Sequence, residues 1–80
     1  MSRRKERSRH AELFGSAVRQ LREARGWTQE QLAERSEMNA SYLGFLERGD
    51  NVPTLTIIIQ LAEGLGMEPA DLLREMGRQI

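Results

Sequence analysis

The sequence predicts an all-α domain built from five short helices. Apolar residues recur at intervals of three and four through most of the chain, which is the period of helices buried on one side. Glycine follows three of these apolar segments, at positions typical of helix ends. Residues that can cap the amino end of a helix precede three of the segments. These capping residues are Thr28, Asn39 and Thr54.

The composition restricts the possible chemistry. The chain has 80 residues, no cysteine and one histidine, His10, so one small domain without a disulfide or a zinc site is expected. It also lacks a glycine loop that could cradle phosphates, and we expect no enzyme, no metal and no cofactor. No apolar stretch approaches the ~20 residues of a membrane span. We therefore expect no membrane partner, and the absence of cysteine favours a cytoplasmic protein.

The charge is distributed unevenly although the net charge is zero. Residues 1–10 carry five basic side chains and one acidic one, whereas residues 11–80 carry seven basic and eleven acidic ones. This pattern predicts a basic, flexible arm over residues 1–10 and a folded domain over residues 11–80. The arm could remain a solvated tail, or it could lie on DNA phosphates when bound.

The first helix is predicted over residues 11–25 and ends at Gly26. Its apolar face consists of Leu13, Phe14, Ala17, Val18 and Leu21. Trp27 follows the glycine directly, and we interpret it as a core residue between the first two helices.

The second and third helices are predicted over residues 29–36 and 40–48. Thr28 and Gln31 have the spacing of a capping box at the start of the second helix. Residues 37 and 38 form the turn, with Met38 pointing inward, and Asn39 caps the third helix. Apolar pairs indicate the buried side of each helix. The pairs are Leu32 and Ala33, then Leu43 and Leu46.

The fourth and fifth helices are predicted after Thr54 and from Pro69. Three consecutive isoleucines at 57–59 could suggest a strand. The spacing of a larger apolar set overrules that interpretation, because it is helical and lies between a cap and Gly66. That set is Leu55, Ile58, Leu61, Ala62 and Leu65. Pro69 suits the first turn of the fifth helix.

The run WTQEQLAERS, followed by NASYLGFLERG, resembles the lambda-repressor-like (XRE-type) helix-turn-helix family. The likeness extends upstream through LFGSAVRQLREARG and downstream through NVPTLTIIIQLAEGLGMEPADLL, about residues 11 to 73. It implies a compact five-helix domain whose second and third helices form the helix-turn-helix. It also implies a sequence-specific transcription regulator that binds a near-palindromic operator in double-stranded DNA as a homodimer. Restriction–modification controller proteins and phage or plasmid repressors are candidate subtypes, and no small-molecule ligand is evident.

A second function stays open. An antitoxin or another protein-interaction module could keep this fold and bind DNA weakly. The acidic body of the domain and the small number of base-reading side chains favour it, whereas Gln29, Tyr42 and Arg48 argue for DNA binding.

The resemblance implies a set of DNA-binding residues. Gln29 matches a phosphate-binding position, and the third helix matches the recognition helix. Phe45 departs from the polar residues usual at its position, so it could contact thymine methyl groups or fold over the edge of the core. The complete predicted set is Thr28, Gln29, Asn39, Ala40, Ser41, Tyr42, Phe45, Arg48 and Asn51.

Three further expectations follow. The resemblance implies a buried ion pair between Arg22 and Glu47. Glu37 stands where the family often has glycine, which predicts a strained or altered turn. Apolar residues in excess of one core predict a homodimer through the last helix and the end of the fourth. The predicted interface residues are Ile59, Leu73, Met76 and Ile80.

Overall fold

A computed structural model describes residues 8–79 of the chain. These residues form five helices, α1 (Arg9–Ala24), α2 (Gln29–Arg35), α3 (Ala40–Glu47), α4 (Leu55–Leu65) and α5 (Pro69–Gly77), and none of residues 8–79 lies in a strand. The predicted all-α fold is confirmed, and the three isoleucines belong to α4. Residues 1–7 of the predicted arm and the predicted interface residue Ile80 lie outside the described residues.

Some helix boundaries differ from the prediction by one or two residues. α1 begins at Arg9 because the Ser8 hydroxyl accepts a hydrogen bond from the backbone N–H of Ala11, at 3.3 Å. Arg9 and His10, predicted within the arm, are therefore helical. Three helices end one residue earlier than predicted, because the expected last residues are carboxyl-terminal caps. These caps are Arg25, Ser36 and Arg48.

The turn between α2 and α3 contains a strained residue. Glu37 has a φ of 57°, and it is the only non-glycine residue in the left-handed region among residues 8–79. An L-residue in this conformation is destabilised by about 1–2 kcal/mol. Gln60 of α4 supports the turn, since its Nε2 donates to the carbonyl oxygens of Ser36 and Glu37 at 3.1 and 3.4 Å. The turn that joins the two helices is thus held from α4.

All five helices contribute to one core. Its buried members are Phe14, Val18, Leu32, Ala33, Leu43, Leu46, Leu61, Ala62, Leu65 and Leu72. Trp27 and Met38 are partly buried and pack against this core, as predicted. Leu55 is a correction: it was expected on the apolar face of the fourth helix, but it is 72% exposed. Leu55 is the first residue of α4, and it does not belong to the core.

Two glycines allow helices to approach each other closely. A β-carbon on Gly15 of α1 would overlap the carbonyl oxygen of Leu46 in α3, and one on Gly64 of α4 would overlap the hydroxyl of Ser36 at the end of α2. The backbone of α3 is therefore seated directly on α1. No helix within residues 8–79 is long and apolar enough to cross a membrane.

Gly15→Ala should destabilise the protein. The added methyl group forces α1 and α3 apart, and overpacking of this kind costs about 1–3 kcal/mol. Urea unfolding followed by circular dichroism measures the change. Gly77→Ala is the control, because a β-carbon there meets nothing within 4 Å. Equal unfolding midpoints for the two variants would contradict the close contact.

Candidate nucleic-acid interface

A buried ion pair fixes α3 on α1. The Arg22 guanidinium donates from Nε to Glu47 Oε2 at 2.7 Å and from Nη2 to Glu47 Oε1 at 3.0 Å. The two side chains are only 11% and 3% exposed. Arg22 also donates from Nη1 to the carbonyl oxygen of Trp27, at 2.7 Å. The residues expected to form an ion pair are therefore in bidentate contact, and the pair also holds the segment that enters α2.

The electrostatics of this pair favour the charged arginine. The hydrogen bonds to Glu47 raise the pKa of Arg22 above its ordinary value, although burial alone would lower it. Because arginine is already protonated at every physiological pH, the pair keeps its positive partner across that range.

Gln29 joins the same cluster. It is the first residue of α2, and its Nε2 donates to Glu47 Oε1 at 2.9 Å. The side chain is half-buried, not fully exposed. The amide has a second N–H, and so Gln29 can bind Glu47 and still donate to another acceptor. Gln29 therefore lies at the surface above the ion pair.

The outer side of α3 forms an exposed stripe of Ser41, Phe45 and Arg48, which are spaced one helical turn apart. Phe45 is 44% exposed and does not belong to the core or to the residues packed on it. The Arg48 guanidinium lies over its ring, 5.1 Å from the centroid. Of the two arrangements considered for Phe45, this exposure favours the outward one. The opposite side of α3, with Leu43 and Leu46, is fully buried.

The predicted residues at the start of α3 have fewer groups available for DNA. Asn39 is exposed, but its Oδ1 accepts hydrogen bonds from the backbone N–H groups of Ser41 and Tyr42, at 2.7 and 3.2 Å. Its amino group is the part left to donate. Ala40 and Tyr42 are half-buried and pack against the core. They border the exposed stripe and are not part of it.

Thr28 and Asn51 lie at the two ends of the predicted set. Thr28 is exposed and forms the expected capping box with Gln31, with hydrogen bonds of 3.1 and 2.8 Å. Asn51 is half-buried in the loop after α3. Gly44, which helical spacing assigns to the outer face, is buried. A β-carbon there would lie 3.5 Å from Arg48 and 3.6 Å from Gln29, so these two side chains line its surface.

A shallow concavity of about 180 Å³ lies beside α3. It is lined by Arg19, Arg22, Gln29, Glu47 and Arg48. Arg19 was not among the predicted residues, because its helical position alone does not show that it lies near α3. Within residues 8–79, no group of three or more histidine, cysteine, aspartate or glutamate residues could hold a metal ion.

The predicted dimer residues do not all lie at the surface. Ile59 and Leu73 are exposed, whereas Met76 is half-buried and packs against the core. Leu55, one turn before Ile59 on α4, adds an exposed side chain that was expected to be buried. The apolar surface of α4 is therefore larger than predicted.

Similarity to known proteins agrees with this geometry. Residues 13–76 match the helix-turn-helix domain family. The control protein C.BamHI of Bacillus amyloliquefaciens is 37% identical over 62 residues, which are 76% of this chain and 76% of that protein. Among solved structures, the restriction-modification controller protein C.AhdI from Aeromonas hydrophila is 42% identical, with a TM-score of 0.75, over 78% of this chain and 94% of that one. The clp gene regulator ClgR from C. glutamicum is 32% identical, with a TM-score of 0.84, over 91% and 95% of the two chains.

Arg22→Met should destabilise the protein strongly, because it leaves the Glu47 carboxylate buried without its cation. Breaking one side of a buried pair costs about 3–5 kcal/mol. Arg19→Met is the matched control: Arg19 lies one turn earlier on α1, in an exposed pair with Glu23. Removing that pair should cost less than about 1 kcal/mol. Urea unfolding compares the two, and similar midpoints would show that the Arg22 pair does not support the fold.

Proposed function

The chain belongs to the helix-turn-helix domain family, and on that premise we propose that it is a sequence-specific DNA-binding transcription regulator that acts as a homodimer on a near-palindromic operator. Its similarity to a control protein and to a restriction-modification controller protein supports a role as a controller of this kind. A phage or plasmid repressor is the neighbouring possibility within the same class.

The observation that carries this proposal is the two-sided character of α3. One side is fixed by buried leucines and by Glu47, while the other presents Ser41, Phe45 and Arg48 to solvent. An eight-residue helix is about 12 Å long, and the major groove is about 12 Å wide. In a helix-turn-helix, the second helix enters that groove with its first residues against the base edges. α3 has the length and the rigid support for this role.

Base recognition would depend on few hydrogen bonds. Ser41 can pair with several bases, and Asn39 has only its amino group to offer because its oxygen caps α3. Ala40 and Phe45 can contact thymine methyl groups. Sequence-dependent DNA shape would then supply part of the specificity.

Phosphate contacts would hold the protein on the duplex. We assign these to Gln29, through its second amide N–H, and to Arg48 at the end of α3. Thr28, Tyr42 and Asn51 border the same surface and complete the proposed set. Such contacts fix orientation and carry no sequence information themselves.

Dimerisation would use α4 and α5. Leu55, Ile59 and Leu73 are exposed apolar side chains on these two helices. We propose that they form one apolar patch, because such a patch on a small protein marks an interaction site. A two-fold dimer would then present two α3 helices to half-sites about 34 Å apart, one turn of DNA.

A protein-interaction module of the same fold is the second candidate. It is favoured by the net charge of −4 over residues 11–80, which opposes DNA, and by the sparse hydrogen-bonding groups of α3. A gel shift with random and genomic fragments separates the two functions. A regulator retains selected genomic fragments, whereas an interaction module retains none.

Phe45→Ala should reduce operator affinity by about 1–3 kcal/mol, the scale of one base-pair discrimination. The melting temperature should change little, because the ring lies outside the core. Fluorescence anisotropy and thermal unfolding of one preparation give both values. Replacement of the contacted thymine by uracil should reproduce the affinity loss and add little to the variant.

The Phe45 prediction has a clear contrary outcome. Truncation of a well-buried phenylalanine costs about 3–5 kcal/mol. A large melting loss without any effect of uracil would identify Phe45 as a packing residue and not as a base reader.

Leu73→Glu should abolish the dimer, because it places a charge in the proposed apolar interface. Sedimentation at micromolar concentration should show a dimer for the wild type and a folded monomer for the variant. A nuclease footprint should shrink from two half-sites to weak protection of one. Leu73 is exposed, so the fold should survive. A wild-type monomer at these concentrations, or a dimer unaffected by the substitution, would refute this arrangement.

A further inference from the structure

The concavity beside α3 is continuous with the proposed recognition surface. Arg48 lines the concavity and also lies over the ring of Phe45. Arg19, on α1, lines the same concavity. Arg19 and Arg48 therefore border one surface, next to the place where a duplex contacted by Phe45 and Arg48 would lie.

Two of the three arginines around the concavity place exposed guanidinium groups at its rim. Arg22 is neutralised by its bidentate pair with Glu47 and lies beneath the surface. Arg19 and Arg48 are more than half exposed, and each forms an ion pair at the surface, with Glu23 and with Asp50 respectively. Exposed pairs of this kind contribute little to stability and can exchange partners. The rim thus offers solvent-exposed guanidinium groups in weak pairs, whereas the pair at the floor is buried.

The chemistry of Arg19 suits a phosphate. Its contact with Glu23 uses Nε, at 3.1 Å. The two terminal amino groups of a guanidinium carry four further N–H donors in a planar fork, which matches two oxygens of a phosphate diester. Arg19 could therefore keep Glu23 as a neighbour while it binds a phosphate.

We propose that Arg19 binds a phosphate diester of the DNA backbone at this concavity, next to the phosphate contacts assigned to Gln29 and Arg48. The proposal rests on the proposed DNA-binding function. It adds α1 to the elements that meet DNA, and it places an exposed guanidinium group of this acidic domain against the duplex.

The test compares Arg19→Ala with Arg74→Ala in the full chain. Arg74 is a matched control, because its side chain is also 62% exposed and it also lies in an exposed ion pair within one helix, with Asp71 of α5. Arg74 does not line the concavity. DNA affinity is measured for both variants over a series of salt concentrations, with melting and sedimentation as checks on folding and on the dimer.

Arg19→Ala should lower the salt dependence of binding by about one unit on a log–log plot, the contribution of one phosphate. Its affinity deficit should therefore be about threefold larger at about 0.1 M salt than at about 0.3 M salt. The loss should be the same for operator and random duplexes, because a phosphate contact carries no sequence information. Arg19→Lys, which keeps the charge, should retain the wild-type slope, and Arg74→Ala should behave as wild type.

Three contrary outcomes are distinguishable. If the wild type binds its operator but Arg19→Ala keeps the slope of Arg74→Ala, this inference is wrong and the proposed function stands. If the wild type binds no duplex, both fail. Saturable binding of inorganic phosphate at Arg19, observed by NMR without any change of slope in DNA binding, would identify a free-anion site instead and would also overturn the proposal.

Discussion

The buried contact between Arg22 and Glu47 is the interaction on which the arrangement of α1, α2 and α3 depends. Its charges are largely removed from water, and this desolvation must be offset by good geometry. The bidentate hydrogen bonds to Glu47, the donation to the Trp27 carbonyl and the amide of Gln29 provide that geometry. These groups belong to α1, to the segment before α2, to α2 and to α3. One cluster therefore fixes the positions of the three helices relative to one another.

Close backbone contact complements the ion pair. Gly15 brings α1 onto the carboxyl end of α3, near Glu47, and Gly64 brings α4 onto the end of α2. Gln60 adds hydrogen bonds to the carbonyls of the turn in which Glu37 is strained. The turn and the far end of α3 are therefore both supported by helices outside the helix-turn-helix. Helices of seven and eight residues would not persist alone in water, so this support is required.

The surface that remains after this packing explains the proposed mode of DNA binding. The buried side of α3 consists of leucines and Glu47. Its solvent-exposed side is a narrow stripe with one aromatic ring, one hydroxyl and one guanidinium. Such a stripe offers few hydrogen bonds to base edges, so phosphate contacts and DNA shape gain importance. Cationic side chains at the concavity can provide the phosphate contacts even though residues 11–80 carry a net negative charge.

The sequence by itself determined the features that depend only on residues close together along the chain. Thr28, Asn39 and Thr54 cap their helices as predicted, and Gly26, Gly49 and Gly66 adopt the left-handed conformation at helix ends, because capping and backbone conformation are local. The spacing of the apolar residues likewise predicts a helix through the three isoleucines, despite their preference for strands. A helix can bury one side against a core only when its apolar residues recur with the helical period.

Only the tertiary structure decided which side chains meet across helices. Leu55 has the spacing of a core residue but lies beyond the core, and Gly44 has the spacing of an exposed residue but lies beneath Arg48 and Gln29. The position of Arg19 along α1 does not show that its side chain lies near α3, so the sequence could not assign it to the proposed DNA interface. Periodicity fixes the direction of a side chain relative to its helix axis, whereas its burial and partners depend on where the other helices are placed.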